Sequence, residues 1–132
     1  MILWQRIEGA IIAALAFTLL LLMRPQLPLM TPELPLWLLI ALFFVPDLAI
    51  VGYLAGPRAG AFFYNLMHLY PMGVLPFFLG LVFGHSIAVA LGMLMIAHDG
   101  VDRALGFGLK SSRGFTQTHL GANDQDTKSF FV

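Results

Sequence analysis

Residues 36–55 read LWLLIALFFVPDLAIVGYLA. This stretch carries a single ionisable side chain, Asp47, and its length matches the roughly 20 residues that cross about 30 Å of hydrocarbon as a helix. Pro46 stands just before the acid. A proline inside a helix lacks the N–H and clashes with the preceding turn. The stretch therefore predicts a membrane span interrupted near its middle, with a carboxylate at the interruption. A charge at that depth is costly unless it faces a protein interior or a wet cavity.

Three further apolar stretches flank it: residues 7–23, residues 59–83 with Pro71 and Pro76 inside, and residues 87–105, which turn polar at their end. Pro25, Pro28, Pro32 and Pro35 make residues 24–35 a proline-rich loop, and Gly56-Pro57-Arg58 and Gly84-His85-Ser86 mark turns. The expected fold is all-α: a polytopic membrane protein with four transmembrane helices, the third kinked at its prolines, over residues 1–110. A polar cytoplasmic tail rich in Ser, Thr, Gln, Asn, Asp and Gly follows over residues 111–132. The N-terminal run could imitate a signal peptide, but it is long for that purpose and ends in Arg24-Pro25-Gln26 without a small-residue cleavage site. It reads as a retained helix.

Composition agrees. Of 132 residues, 59% are hydrophobic and 11% charged, against about 25% charged in soluble domains. The lipid bilayer is the expected solvent and partner. Seven basic and seven acidic residues cancel, which gives no basic patch for a nucleic acid. The chain has no cysteine, so disulfides, thiolate metal sites and cysteine nucleophiles are excluded. With four crossings, Arg6, Arg58, Arg103, Lys110, Arg113 and Lys128 share one side and Arg24 stands on the other. The positive-inside rule then places both termini in the cytoplasm of a cell inner membrane.

Five ionisable groups lie in or beside the spans: Glu8, Asp47, His68, His98 and Asp102. At about 1.5 Å per residue, Asp47 lies roughly 13 Å and His68 roughly 15 Å from the turn between their spans. All five fall in the cytoplasmic half. His98 and Asp102 are four apart and share a helix face, as do Tyr64, Asn65 and His68. Imidazoles with carboxylates suit a divalent metal ion held by N and O ligands, or an acid–base or proton-relay site. Each residue also has a plainer reading. Glu8 can pair with Arg6, Asp47 can cap a restarted helix, His68 can be a packing histidine, and Asp102 can pair with Arg103. His85 reads as exposed and His119 as solvated, unless the glycine-punctuated segment after His98 folds back and brings Thr116, Thr118 and His119 to the mouth of the site. No compact metal motif such as H-E-x-x-H is present.

Several stretches carry a resemblance: Arg6-Ile7-Glu8-Gly9, Val45-Pro46-Asp47-Leu48, residues 52–58 (GYLAGPR), residues 64–68 (YNLMH), residues 97–110 (AHDGVDRALGFGLK), Gly114-Phe115 and residues 118–121 (THLG). Over residues 5–121 the chain resembles the small bacterial membrane proteins grouped as domain of unknown function 4260. The resemblance implies that Glu8, Asp47, Tyr64, Asn65, His68, His98, Asp102, Arg103 and His119 occupy the family's pattern, and that Asp99 departs from it. A fainter similarity is to membrane-bound metal-dependent hydrolases with a Pro-Asp pair and scattered histidines. Their clustered His-Arg and Thr-His-Ser pattern is missing here.

Three readings follow. In the first, a buried His/carboxylate site facing the cytoplasm hydrolyses a lipid or phosphate-containing substrate, with Asp47, His68 and His98 as metal ligands, Asp102 as a further candidate, Glu8 as general base and Arg103 stabilising anionic charge. In the second, the same residues conduct protons or ions, for which four helices imply a homo-oligomer. In the third, they lock helix packing.

Overall fold

The computed structural model describes residues 2–23, 34–111, 114–118 and 121–122. Most of the expected proline-rich loop, His119 and the end of the polar tail lie outside the described residues. The elements are α1 (Ile2–Met23), α2 (Leu36–Phe43), a 3-10 helix (Val45–Ala55), α3 (Pro57–Met67), α4 (Tyr70–Phe83), α5 (Ser86–Leu105), and strands β1 (Lys110–Ser111), β2 (Gly114–Thr118) and β3 (Gly121–Ala122). Two helical segments among these, Ile2–Met23 and Leu36–Ala55, are long and apolar enough to cross a membrane. The pair α3 and α4, bent by 47°, makes a third candidate. α5 is long enough too but carries Asp99, Asp102 and Arg103. Its neighbours cover those polar groups, so it need not be apolar throughout.

α5 is the centre of the molecule, with α1, α4 and α2 packed around it. α1 offers it Gly9, Ala13, Ala16 and Leu20, spaced by four, three and four residues and hence one narrow stripe. A Cβ added to Gly9 would lie 2.6 Å from the Gly100 carbonyl oxygen, and one added to Gly100 would lie 2.7 Å from that of Gly9. The two backbones touch there, as small residues allow between membrane helices. Gly73 of α4 and Gly92 of α5 form a second seam of the same kind, with added Cβ atoms 2.9 and 2.5 Å from the opposite carbonyl oxygen. Leu20, Leu34, Ala90, Met93 and Leu94 form the apolar core beyond these seams.

Both breaks expected from proline occur, with their own geometry. The second span leaves α-helical geometry at Phe44 and continues as a 3-10 helix with Pro46 in its first turn. Proline is suited to that position, where its missing N–H has no intrahelical partner to lose. In the third span the break lies at His68 and Leu69, ahead of Pro71, rather than at Pro71 and Pro76. Pro71 occupies the first turn of α4 and Pro76 stays inside that helix. Gly106, at φ 92°, ends α5. The Phe107 N–H reaches the Asp102 carbonyl at 2.7 Å and the Gly106 N–H reaches that of Arg103 at 3.1 Å, a Schellman ending that turns the chain back.

The segment after that turn departs from a purely helical fold. The three strands form an antiparallel sheet in the order β1-β2-β3, pairing Lys110 with Thr118 and Thr118 with Gly121. Phe115, Thr116 and Thr118 are aromatic or β-branched and favour the extended conformation.

Candidate metal centre

Asp47 comes from the break in the second span, His68 from the break in the third, and His98 and Asp102 from one face of α5. α-Helical hydrogen bonding gives way to the 3-10 pattern at Asp47, whose N–H reaches the Phe44 carbonyl oxygen at 3.1 Å, and ends at His68, whose N–H reaches that of Tyr64 at 3.0 Å. Such breaks survive at membrane depth where they are buried in protein or line a cavity. The four side chains converge. His98 Nε2 lies 3.5 Å from Asp47 Oδ1 and 3.9 Å from Asp102 Oδ2. His68 Nε2 lies 3.6 Å from Asp47 Oδ1 and 3.7 Å from Asp102 Oδ2. The histidine side chains are 0% and 4% exposed and Asp102 15%, while Asp47 is 47% exposed and forms the open rim.

The orientation of His68 is fixed from outside the cluster. Its Nδ1–H donates to the Tyr64 carbonyl oxygen at 2.8 Å, and a carbonyl can only accept. The neutral ring then carries its lone pair on Nε2, aimed at the two carboxylates. Metal-ligating histidines are commonly held this way. The Tyr64 ring stacks on His68 with centroids 3.8 Å apart, and its hydroxyl donates to Asp102 Oδ2 at 3.5 Å. His68 Nε2 and both ring nitrogens of His98 are buried without a hydrogen-bond partner. A buried polar atom left unpaired costs about 1–3 kcal/mol.

Asp47, His68 and His98 can each offer one ligand atom, all within 4.8 Å of one another. Tetrahedral bonds of about 2.0–2.2 Å put ligand atoms roughly 3.3–3.6 Å apart. The nitrogen–carboxylate separations of 3.5–3.9 Å and the 4.8 Å span of the three ligand atoms are wider, so the side chains would have to move inward to grip a divalent ion. Two carboxylates would also balance its charge.

The model for Domain of unknown function (DUF4260) matches residues 2–122. The chain belongs to this family. No curated protein and no solved structure matches it. The DUF4260 match thus runs from the first turn of α1 to the last strand and includes all four converging residues.

Glu8 and Arg103 stand apart from the cluster. Gly9 faces α5, and Glu8, one residue away, is turned about 100° off that seam and is exposed. It lines a separate polar cavity of about 150 Å³ with Gln5, Tyr70 and Arg103. The Arg103 guanidinium donates to the carbonyl oxygens of His68 at 3.1 Å and Phe107 at 3.2 Å. It thereby ties the third-span break to the end of α5. His85 caps α5 by accepting from the Ala88 N–H at 3.4 Å.

Two contributors were not singled out by the sequence reading. Lys110 is buried, with its ammonium 5.1 Å from the Tyr64 ring centroid. Burial lowers its pKa from the ordinary lysine value, with Asp102 pulling the other way. The Asn65 amide donates to the Lys110 carbonyl at 2.8 Å and accepts from its N–H at 2.5 Å, holding the strand segment beneath the cluster. Phe43 packs its ring 4.9 Å from that of His98. Neither contact has a local sequence signal, because the partners are 45 and 55 residues apart.

Proposed function

We propose that the chain is a four-crossing inner-membrane protein, with both termini cytoplasmic, whose His/Asp cluster binds one divalent metal ion and hydrolyses a phosphate- or ester-containing lipid. The observation that carries this reading is the pair of buried Nε2 atoms of His68 and His98, without hydrogen-bond partners and 3.5–3.9 Å from two carboxylate oxygens. A cation between them would satisfy both at once. Asp47, His68 and His98 act as ligands, which leaves a position for water, as in catalytic sites with three protein ligands.

Asp47, His68 and His98 would hold the ion, and the chemistry it would supply is a bound water made nucleophilic near neutral pH. Asp102, held by Tyr64, takes the proton as the water oxygen attacks phosphorus or the carbonyl carbon. The bond to the leaving alcohol then breaks, and Asp102 returns the proton to that oxygen. Lys110 is close enough to sense Asp47 and Asp102 and offers positive charge to an anionic headgroup. Glu8 has no part in this scheme, and Arg103 positions His68 through its backbone.

The test is lipid hydrolysis by the purified chain in phosphatidylglycerol-containing vesicles. Activity that is lost on chelation, restored by a divalent metal and abolished by His98→Ala supports the reading. Hydrolysis that persists in His98→Ala, or none with any divalent metal in a folded protein, overturns it. One observation favours the proton-conducting alternative. Asp99 is completely buried on α5 and neither of its carboxyl oxygens has a partner. Proton flux into vesicles that is abolished by Asp99→Asn would select that alternative.

A further inference from the structure

α1 and α2 are successive helices that both lean on α5 and leave a groove of about 470 Å³ between them, within the range of about 300–1,000 Å³ typical of ligand sites. Phe17 and Leu20 of α1, Leu39, Ile40 and Phe43 of α2, and Leu94 of α5 line it. Every lining side chain is Leu, Ile or Phe. Apolar cavities stay dry, so at membrane depth hydrocarbon is the natural filling.

The groove has direction. Its inner end closes where Phe17 stacks on Phe43 at 5.8 Å. Phe43 and Phe44 in turn lie with ring centroids 4.9 and 6.3 Å from His98. Asp47, the exposed rim of the cluster, follows Phe44 by three residues. A polar cluster with one open edge thus adjoins the inner end of an apolar channel that follows the eight helical residues Leu36 to Phe43, a rise of roughly 10 Å.

Resting on the metal-centre reading, we infer that this groove holds an acyl chain of a phospholipid from the leaflet on the side of the chain termini, and that the lipid's headgroup reaches the His/Asp cluster past Asp47. The direction fits such a lipid. Its headgroup would be drawn inward from the interface past Asp47 to the cluster, and its chain would run toward the far side of the membrane, along α2 from Phe43 toward Leu36. Hydrocarbon alone gives no preference for the groove over the surrounding bilayer, since lipid tails are as apolar as leucine. The headgroup contact supplies the preference.

The experiment reconstitutes the full chain in phosphatidylethanolamine vesicles containing phosphatidylglycerol with a diazirine midway along one acyl chain. After irradiation, adducts are mapped and metal content is measured on the same samples. The expected result is enrichment at Leu39, Ile40 and Leu94 over the lipid-facing Val82 and Phe78 by about tenfold, the ratio that 1.4 kcal/mol of headgroup contact supplies. Ile40→Trp, which narrows the groove, should remove the enrichment while metal content is unchanged. The gentler Leu94→Phe should reduce it. In Asp47→Asn the enrichment should fall even where α2 remains labelled at background.

Even labelling of all lipid-facing positions, with metal bound, overturns the groove assignment and leaves the metal centre standing. Groove enrichment without bound metal, unchanged by Asp47→Asn, overturns the headgroup contact and the metal reading together. Crosslinks between two copies at these positions, or adducts at Leu39 that appear only after residues 26–31 are replaced by a short glycine-serine linker, assign the groove to a second copy or to the chain's own connecting segment and overturn the proposal.

Discussion

α5 is gripped on two sides, by α1 and α4, through glycine seams, whereas the span made of α2 and the 3-10 helix packs on one side, with Tyr53 seated on Gly60 and Gly52 against Phe63 of α3, and leaves its other side exposed. Both deliver side chains to one cluster. α5 presents His98 and Asp102 from a rigid rod with backbone contacts on two sides. The second span presents Asp47 from a 3-10 segment, a geometry with weaker hydrogen bonds that is rare in runs this long. A pair buried on α5 thus meets a carboxylate on the exposed rim, where a cation or a substrate would arrive. His68 belongs with the buried pair, and Tyr64 and Arg103 hold its ring and its backbone.

The comparison can be broken at several points. The largest effect is expected on the α5 side. Gly100→Leu drives a side chain into the Gly9 backbone and should cost about 3 kcal/mol or more, read as loss of the folded species in detergent by thermal unfolding. A folded protein of normal stability would show that the seam is not tight. Next, His98→Ala should lower divalent-metal affinity by more than about 100-fold, beyond the 10–100-fold typical of outer-shell partners, as measured by titration with a competing chelator. Asp47→Asn, on the exposed rim, should weaken affinity by about 10–100-fold, less than His98→Ala because the amide keeps an oxygen donor, with little change in unfolding temperature, since Asp47 is half exposed.

A smaller effect is expected at Asn65→Ala. It removes the two side-chain hydrogen bonds to the Lys110 backbone and should cost about 1–2 kcal/mol, with faster amide hydrogen exchange at Lys110 and through β1. At the bottom of the scale, Leu54→Ala, on the outward surface of the 3-10 helix, should change stability by less than about 0.5 kcal/mol. A large loss at Leu54 would mean that this surface packs against another protein, and the picture of a second span supported on one side only would fail.

The sequence carried the place of the polar residues along their helices but not their direction. Pro46 and Asp47 announced a break, and the four-residue spacing of His98 and Asp102 announced a shared face. Both features are local in the chain. Glu8 lies at a suitable depth yet on the wrong side of α1. Its azimuth depends on which stripe packs, and Gly9, Ala13, Ala16 and Leu20 read as part of an evenly apolar run. The break in the third span was expected from its prolines, but proline is at ease in a first helical turn, so the interruption fell before Pro71, at His68. The strands after Gly106 were hidden because Asn65 starts them from a distance. The groove is a space between helices, and no residue pattern records a space.

The central claim is that His68, His98 and Asp47 hold a metal ion. X-ray absorption at the metal edge of the purified, folded full chain tests it most directly. About one divalent ion per chain is predicted, with two imidazole ligands and carboxylate oxygen at about 2.0–2.2 Å. The ion should be lost in His68→Ala and in His98→Ala. An ion without imidazole ligands, one whose content is the same in both variants, or a folded protein that takes up no divalent metal would contradict the account.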